Sequence, residues 1–144
     1  VTNAEMGRVS LPKGGEVEII AGEFEGVKGP ATTFSPVHLY NLKMKKGEKV
    51  ELDYPEGYTT AILAIEGSAV FNGTETLPTN YLALFERDGE HITVDAVEDS
   101  VLLVMSGEPL NEPIAQYGPF LMNTKEEIAQ AMRDYQMGKF GQLD

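Results

Sequence analysis

The side chains of this sequence that could bind a metal are two histidines, His38 and His91, and many scattered carboxylates. A histidine metal site usually has two or three imidazoles with a carboxylate, often as a His-x-His pair on one strand. His38 and His91 lie far apart in the sequence, each inside a strand-like run, where a core or surface histidine is the commoner role. They are therefore minor candidates for metal ligands, although two strands of a barrel could still bring them together.

Other kinds of active site find little support in the residues. The chain has no cysteine, which excludes a thiolate nucleophile, a disulfide and a thiolate-bound metal. Pairs of acids such as Asp53 with Glu56 arise by chance among 23 Asp and Glu, and they are interpreted as solvated turn residues. The sequence contains neither a Gly-x-Ser-x-Gly elbow nor a glycine-rich phosphate loop. The residues by themselves predict no catalytic site.

Length and charge limit the class of protein. A chain of 144 residues fits one domain with a substantial core. The net charge of −12 disfavours direct binding to nucleic acid. The longest apolar run, residues 61–65, is too short for a membrane span, which needs about 20 residues. Residues 1–5 do not resemble a signal peptide, so we expect a cytoplasmic protein.

Short β-like runs alternate with turn signals between Glu16 and Ser106, which predicts an all-β fold, an antiparallel sandwich or barrel. Asn72-Gly73 is the strongest hairpin signal. The run Lys49–Asp53 alternates apolar and charged residues, whereas Thr60–Ile65 is nearly all apolar and predicts a strand covered on both faces. The predicted strands are Val17–Ala21, Val37–Met44, Lys49–Asp53, Thr60–Glu66, Ala69–Phe71, Tyr81–Phe85, His91–Asp95 and Val101–Met105.

The chain changes character near its C-terminus. Thr124 and Glu127 form a capping box, and apolar residues follow at helical spacing, so we predict one amphipathic helix from Lys125 to about Met137. Three segments result: an N-terminal extension or interdomain linker over residues 1–15, a β-barrel over 16–122, and the helix and tail over 123–144.

Several motifs in the C-terminal third resemble the C-terminal half of the pirin family. The resemblance rests above all on Gly107–Pro113, Gln116–Phe120 and Met122–Thr124, and it extends from about Val17 to the end of the chain. Pirins are bicupins with two jelly-roll barrels and an iron-type metal site in the N-terminal barrel. The resemblance therefore implies that residues 16–122 form a cupin-type jelly-roll barrel. Some members are similar to quercetin 2,3-dioxygenases, and one branch is described as a transcriptional co-regulator.

The resemblance also indicates that the family's metal ligands are missing from this half. The two histidine positions of the family motif correspond here to Asp53 and Pro55, and proline has no side-chain donor atom. The later His-x-Glu pair is replaced by His91-Ile92-Thr93, which lacks the acid. No catalytic or cofactor-binding residue of the family can therefore be transferred to this sequence.

The resemblance implies a structural and interaction domain that supports a metal-binding N-terminal cupin half. Iron or another divalent metal is expected in that absent half, which is also the expected partner. Other protein partners and self-association through an exposed sheet or the helix stay open. The alternatives are part of a metal-dependent quercetin 2,3-dioxygenase-like oxidoreductase, a protein-binding transcriptional co-regulator, and a small-molecule pocket inside the barrel. Candidate lining residues for that pocket are Phe34, Tyr40, Leu63, Phe71 and Leu84.

Overall fold

A computed structural model describes residues 1–141 of the chain, most of it as short β-strands. A 3-10 helix precedes the strands and one α-helix follows them. The strands are β1 (Gly7–Ser10), β2 (Glu16–Ala21), β3 (Glu23–Phe24), β4 (Val27–Lys28), β5 (Val37–Met44), β6 (Lys49–Asp53), β7 (Thr59–Glu66), β8 (Ala69–Phe71), β9 (Glu75–Leu77), β10 (Leu82–Leu84), β11 (His91–Ala96), β12 (Ser100–Gly107), β13 (Ala115–Tyr117) and β14 (Phe120–Met122). The helices are Asn3–Glu5 and α1, Lys125–Gln136.

Two antiparallel sheets share one apolar core. The larger sheet has the order β1-β2-β5-β12-β7-β10, and the smaller has the order β6-β11-β8-β9. Neighbouring strands are mostly distant in sequence, as in a jelly roll. Leu42, Ile62 and Leu102 from the larger sheet are fully buried, and Leu52 and Val94 from the smaller sheet join the same cluster. The predicted all-β cupin-type fold is confirmed, and each predicted strand is present with small shifts at its ends.

The burial of individual strands follows their sequence patterns with one exception. In β6, Val50 and Leu52 are buried while the charged residues between them are exposed, as the alternation predicts. In β7 only Thr60, Ile62 and Ala64 are buried, and Ile65 on the opposite face is 43% exposed. The prediction that both faces of this strand are covered is wrong, because β7 belongs to a sheet with only one core face.

The hairpin predicted at Asn72-Gly73 is confirmed. Asn72 and Gly73 both have positive φ, 49° and 72°, as a type I′ turn requires. The Thr74 amide donates to the Phe71 carbonyl at 3.0 Å, which closes the turn between β8 and β9. Strand β9 itself was not among the predicted strands, since Glu75–Leu77 has no apolar alternation.

The N-terminal residues contribute to the larger sheet. Within residues 1–15, the segment expected as an extension or linker, β1 pairs with β2 from Gly7 opposite Ile19 to Ser10 opposite Glu16. The Arg8 guanidinium bridges the carboxylates of Glu16 and Glu18 at 2.9 and 2.7 Å. The four residues of β1 have mixed polarity and give no strand signal of their own. The strand therefore depends on its pairing with β2 and on the ion pairs of Arg8.

The residues after Pro109 form a second compact unit that begins at Leu110. It groups the β13–β14 hairpin with α1, whereas the sequence-based division placed residues 110–122 in the barrel. The predicted capping box is confirmed, because Thr124 Oγ1 accepts from the Glu127 amide at 3.2 Å and Glu127 accepts from the Thr124 amide at 2.9 Å. The last residues of the predicted tail, 142–144, lie outside the described residues. No helix in the described part of the chain is long and apolar enough to cross a bilayer.

Candidate functional site

At one end of the barrel, a row of polar side chains crosses the larger sheet. His38 on β5 lies opposite Ser106 on β12, which lies opposite Thr60 on β7, so the three residues form a row across the larger sheet. Thr60 and Ser106 are each only 4% exposed, and their hydroxyls are 2.8 Å apart. These two hydroxyls form a hydrogen bond with each other, which offsets the cost of burying them.

His38 takes part in a hydrogen-bonded chain that determines its tautomer. Burial raises the pKa of Tyr40 to about 12, so its hydroxyl keeps its proton at neutral pH. That proton is donated to the Glu23 carbonyl oxygen. Because a hydroxyl has only one proton, the Tyr40 oxygen must accept from Nδ1 of His38, 2.7 Å away. His38 therefore carries its proton on Nδ1 and has the free lone pair on Nε2.

The rings around His38 keep it uncharged. Its ring centroid lies 5.1 Å from that of Tyr54, 5.9 Å from Tyr40 and 6.3 Å from Tyr58. Burial lowers the pKa of His38, which favours the neutral imidazole. A neutral imidazole with a fixed Nδ1–H is the form that binds a metal through Nε2, but such a site needs further ligands.

Tyr54, directly after β6, supplies an uncommon feature of this polar end. The residue is 6% exposed, and its buried hydroxyl has no hydrogen-bond partner of good geometry among the described residues. Burial and the nearby Tyr40 raise the pKa of Tyr54, so it remains a neutral phenol. Tyr54 follows the buried positions Val50 and Leu52 at the strand period of two, a signal that could have predicted its inward orientation.

His91 belongs to a different group of residues. Its Nδ1 lies 2.6 Å from Oδ1 of Asp53, the residue directly opposite it on β6, and both side chains are largely exposed. The structure thus brings His91 to Asp53, whereas His38 lies on the other sheet.

The residues at these positions do not fit a metal. No group of three His, Asp or Glu side chains in residues 1–141 is arranged to hold one. Pro55, at the second family position, has no donor atom in its side chain. The His91–Asp53 pair would therefore offer too few ligands for a stable transition-metal site.

A cavity of about 180 Å³ opens at this polar end, and we call it the barrel-mouth cavity. Its aromatic walls are Tyr54, Tyr58 and Phe85. Its rim is formed by His91 and by residues 86 and 88–90 of the preceding loop, whereas Arg87 is not part of the lining. Backbone hydrogen bonds hold residues 86–90, the acidic loop, in place: the Tyr54 amide donates to the Glu90 carbonyl at 2.9 Å, and the Gly57 amide donates to the Arg87 carbonyl at 3.0 Å.

The pocket predicted from sequence has a different lining. Tyr40 and Phe71 belong to the core, but Phe34 and Leu84 are exposed, and Leu63 lies on the face of β7 opposite the core. The five predicted residues therefore do not enclose one space. Sequence reasoning missed the aromatic residues that line the barrel-mouth cavity, because Tyr58 and Phe85 flank turns whose path the pattern does not specify.

Comparisons with known sequences and solved structures show which proteins this chain is similar to. Residues 39–141 match the family described as the pirin C-terminal cupin domain. The chain belongs to the pirin family. The crystal structure of a quercetin 2,3-dioxygenase from Acinetobacter baumannii is 42% identical with a TM-score of 0.89, over 100% of this chain and 50% of that chain.

Curated relatives show the same half-length match. A Pseudomonas aeruginosa protein described as a candidate quercetin 2,3-dioxygenase is 41% identical over 139 residues, which cover 96% of this chain and 48% of the relative. Human pirin is 32% identical over 145 residues, which cover 95% of this chain and 50% of pirin. The chain spans about half the length of the curated relatives it matches, so the expected membership in the pirin family, as its C-terminal cupin half, is confirmed.

Proposed function

We propose that this pirin half supports a metal-binding N-terminal cupin half by packing against it, with no metal chemistry of its own. The observation that carries the proposal is the apolar outer face of the larger sheet. There Leu82 and Leu84 of β10 are 57% and 72% exposed. Iron or another divalent metal would be held by the N-terminal half, because Pro55 has no side-chain donor atom and Asp53 and His91 alone do not form a ligand set.

The strand register makes this outer face continuous. Leu63 on β7 lies between Leu82 on β10 and Leu103 on β12, and Ala61 in the same way lies between Leu84 and Met105. These side chains alternate with the buried residues of the same strands, so they form one apolar patch across three strands. A patch of this kind on a chain with a net charge of −12 marks a protein interface.

We expect the double substitution Leu82→Glu with Leu84→Glu to weaken binding of the separately expressed N-terminal half at least about tenfold, since burial of each leucine contributes about 2 kcal/mol. Isothermal titration calorimetry would measure the affinity. The control is Phe34→Glu, an exposed apolar residue outside the patch, which should leave the affinity unchanged. Equal affinity of the double variant and the wild type, with both folded by circular dichroism, would refute this role of the sheet.

A second proposal concerns the whole protein, which we infer to be a metal-dependent quercetin 2,3-dioxygenase. The 42% identity to the Acinetobacter baumannii enzyme supports it. The full-length, iron-loaded protein should then consume quercetin in air, followed by loss of the flavonol absorbance. Absence of turnover in the loaded protein would contradict this activity.

If the N-terminal half alone holds the metal, the isolated chain should not bind iron. After anaerobic incubation with ferrous iron and desalting, the isolated chain should retain almost no iron by elemental analysis, because fewer than three ligands converge anywhere in residues 1–141. Full-length protein treated in parallel is the positive control. About one iron per isolated chain would show that His91 and nearby carboxylates do form a site, and the proposed division would be wrong.

A further inference from the structure

We propose that the barrel-mouth cavity binds a small organic cation, with an alkylammonium head group seated between aromatic walls and an acidic rim. The inference is independent of the proposed packing function. It rests on three observations: the size of the cavity, the rings that line it and the fixed position of the acidic loop.

The size of the cavity limits the ligand to one compact group. An apolar protein cavity of about 150 Å³ accommodates benzene. A cavity of about 180 Å³ therefore accepts a trimethylammonium-sized head and is too small for a fused ring system such as a flavonol. Thr60, which is hydrogen-bonded to Ser106, also lines the cavity, so the lining is not purely hydrophobic.

The rings around the cavity are suited to a positive charge. Tyr54, Tyr58 and Phe85 contribute to its walls, and the faces of aromatic rings attract cations. Phe85 is held by an edge-to-face contact with Phe71 at a centroid distance of 5.3 Å, which stabilises its orientation. Tyr54 is locked by burial. These walls are therefore preformed, so binding would cost little ordering entropy.

The acidic loop supplies the charge complement. Glu86, Asp88 and Glu90 line the cavity, whereas Arg87 of the same loop does not. Backbone hydrogen bonds from Tyr54 and Gly57 fix the position of the loop. His91, the other titratable residue on the rim, is paired with Asp53. The rim therefore repels carboxylate and phosphate ligands and raises the local concentration of cations.

A diffuse organic cation fits this rim better than a metal ion. Metals require several ligand atoms at short distances around one point, and no such group of three acidic or histidine side chains is present in residues 1–141. Carboxylates spread around an aromatic cavity suit a large cation that loses little hydration and contacts ring faces.

The test uses choline chloride as the cationic probe and 3,3-dimethyl-1-butanol as its uncharged counterpart of the same shape. Amide shifts in the ¹⁵N spectrum of the chain are followed at constant ionic strength. We expect choline to shift the amides of Tyr58, Phe85 and Glu90 with a dissociation constant of about 1 mM, and the alcohol to bind at least about tenfold more weakly. Calcium chloride at the same ionic strength should not reproduce the choline shifts.

Variants separate the charge contribution from the aromatic one. Asp88→Asn with Glu90→Gln should weaken choline binding about threefold to tenfold. The control Glu98→Gln removes a charge beyond the opposite end of β11 and should leave the affinity unchanged. Tyr58→Ala should lose binding several-fold, whereas Tyr58→Phe keeps the ring face and should retain it.

The proposal is overturned if choline and the alcohol bind equally, which would make the cavity merely apolar. It is overturned as well if choline shifts no amide around the cavity, or if calcium ions reproduce its shifts. Equal effects of Glu98→Gln and the rim variants would assign the binding to net charge and would also refute the site.

Discussion

Replacement of Glu48 by alanine is expected to destabilise the chain by about 3 kcal/mol, a large effect for a single substitution. Glu48 is only 2% exposed, and its carboxylate accepts from the backbone amides of Lys13 and Gly15 at 2.7 and 3.1 Å and from that of Lys45 at 2.7 Å. Alanine would leave these three amides without their acceptor, and each such loss costs about 1 kcal/mol.

The Glu48 carboxylate also packs closely against Gly15. A Cβ atom on Gly15 would approach within 2.1 Å of Glu48 Oε2, so the carboxylate and the glycine are matched. Glu48 in this way holds the turn before β2 against the turn between β5 and β6. Loss of the acid should therefore be accompanied by faster hydrogen exchange at the amides of Lys13 and Gly15, a local signature that a general loss of stability would not produce first.

The same residue predicts a pH dependence. Burial alone would raise the pKa of Glu48, but the hydrogen bonds from the amides of Lys45, Gly15 and Lys13 outweigh it and leave the pKa below its ordinary value of 4.5. A lowered folded-state pKa means that the stabilisation is complete above the ordinary value and is lost as the pH falls through the folded-state pKa. Stability measured in urea should therefore decline below pH 4.5 less steeply in Glu48→Gln than in the wild type.

A matched control distinguishes this role from a simple loss of charge. Glu51 is exposed on β6 and forms one surface ion pair with Lys49 at 3.5 Å, so Glu51→Ala should change stability by less than about 0.5 kcal/mol. If Glu48→Ala and Glu51→Ala gave the same urea midpoint, the buried carboxylate would not be what holds the two turns together.

Strand positions were predictable because burial on one face imposes a period of two on the side chains. The run of β6 shows that period directly, and the helix start at Thr124 is encoded in four consecutive residues. Strand β1 was not predictable, since its position depends on Glu16 and Glu18, carboxylates on the neighbouring strand. The same reasoning explains Glu48, whose acceptor role exists only after the turn before β2 and the turn between β5 and β6 come together.

Little of the candidate site was predictable from residue types. Pro55 shows from its type alone that one family ligand is missing. The pairing of His91 with Asp53 and the tautomer of His38 depend on strand register and on the geometry of Tyr40, which no local pattern specifies. The cavity depends on the acidic loop. Its position is set by backbone hydrogen bonds from Tyr54 and Gly57, which are distant from the loop in the sequence.

Tyr40→Phe is expected to destabilise the chain by about 2 kcal/mol, because it leaves the Glu23 carbonyl and the His38 Nδ1–H without their partner inside the barrel. Tyr54→Phe is the matched variant: it removes a hydroxyl that is buried without a good partner, so stability should stay within about 0.5 kcal/mol or rise.

The two tyrosine variants also test the tautomer of His38, which stability alone would not report. In the wild type and in Tyr54→Phe, imidazole ¹⁵N shifts should place the proton on Nδ1, since Tyr40 still accepts it. In Tyr40→Phe that preference should weaken, because the acceptor is gone. If both variants lost stability equally and His38 kept its tautomer in each, the hydroxyl of Tyr40 would not be what orients this histidine. The polar end of the barrel would then depend on the Thr60–Ser106 pair instead.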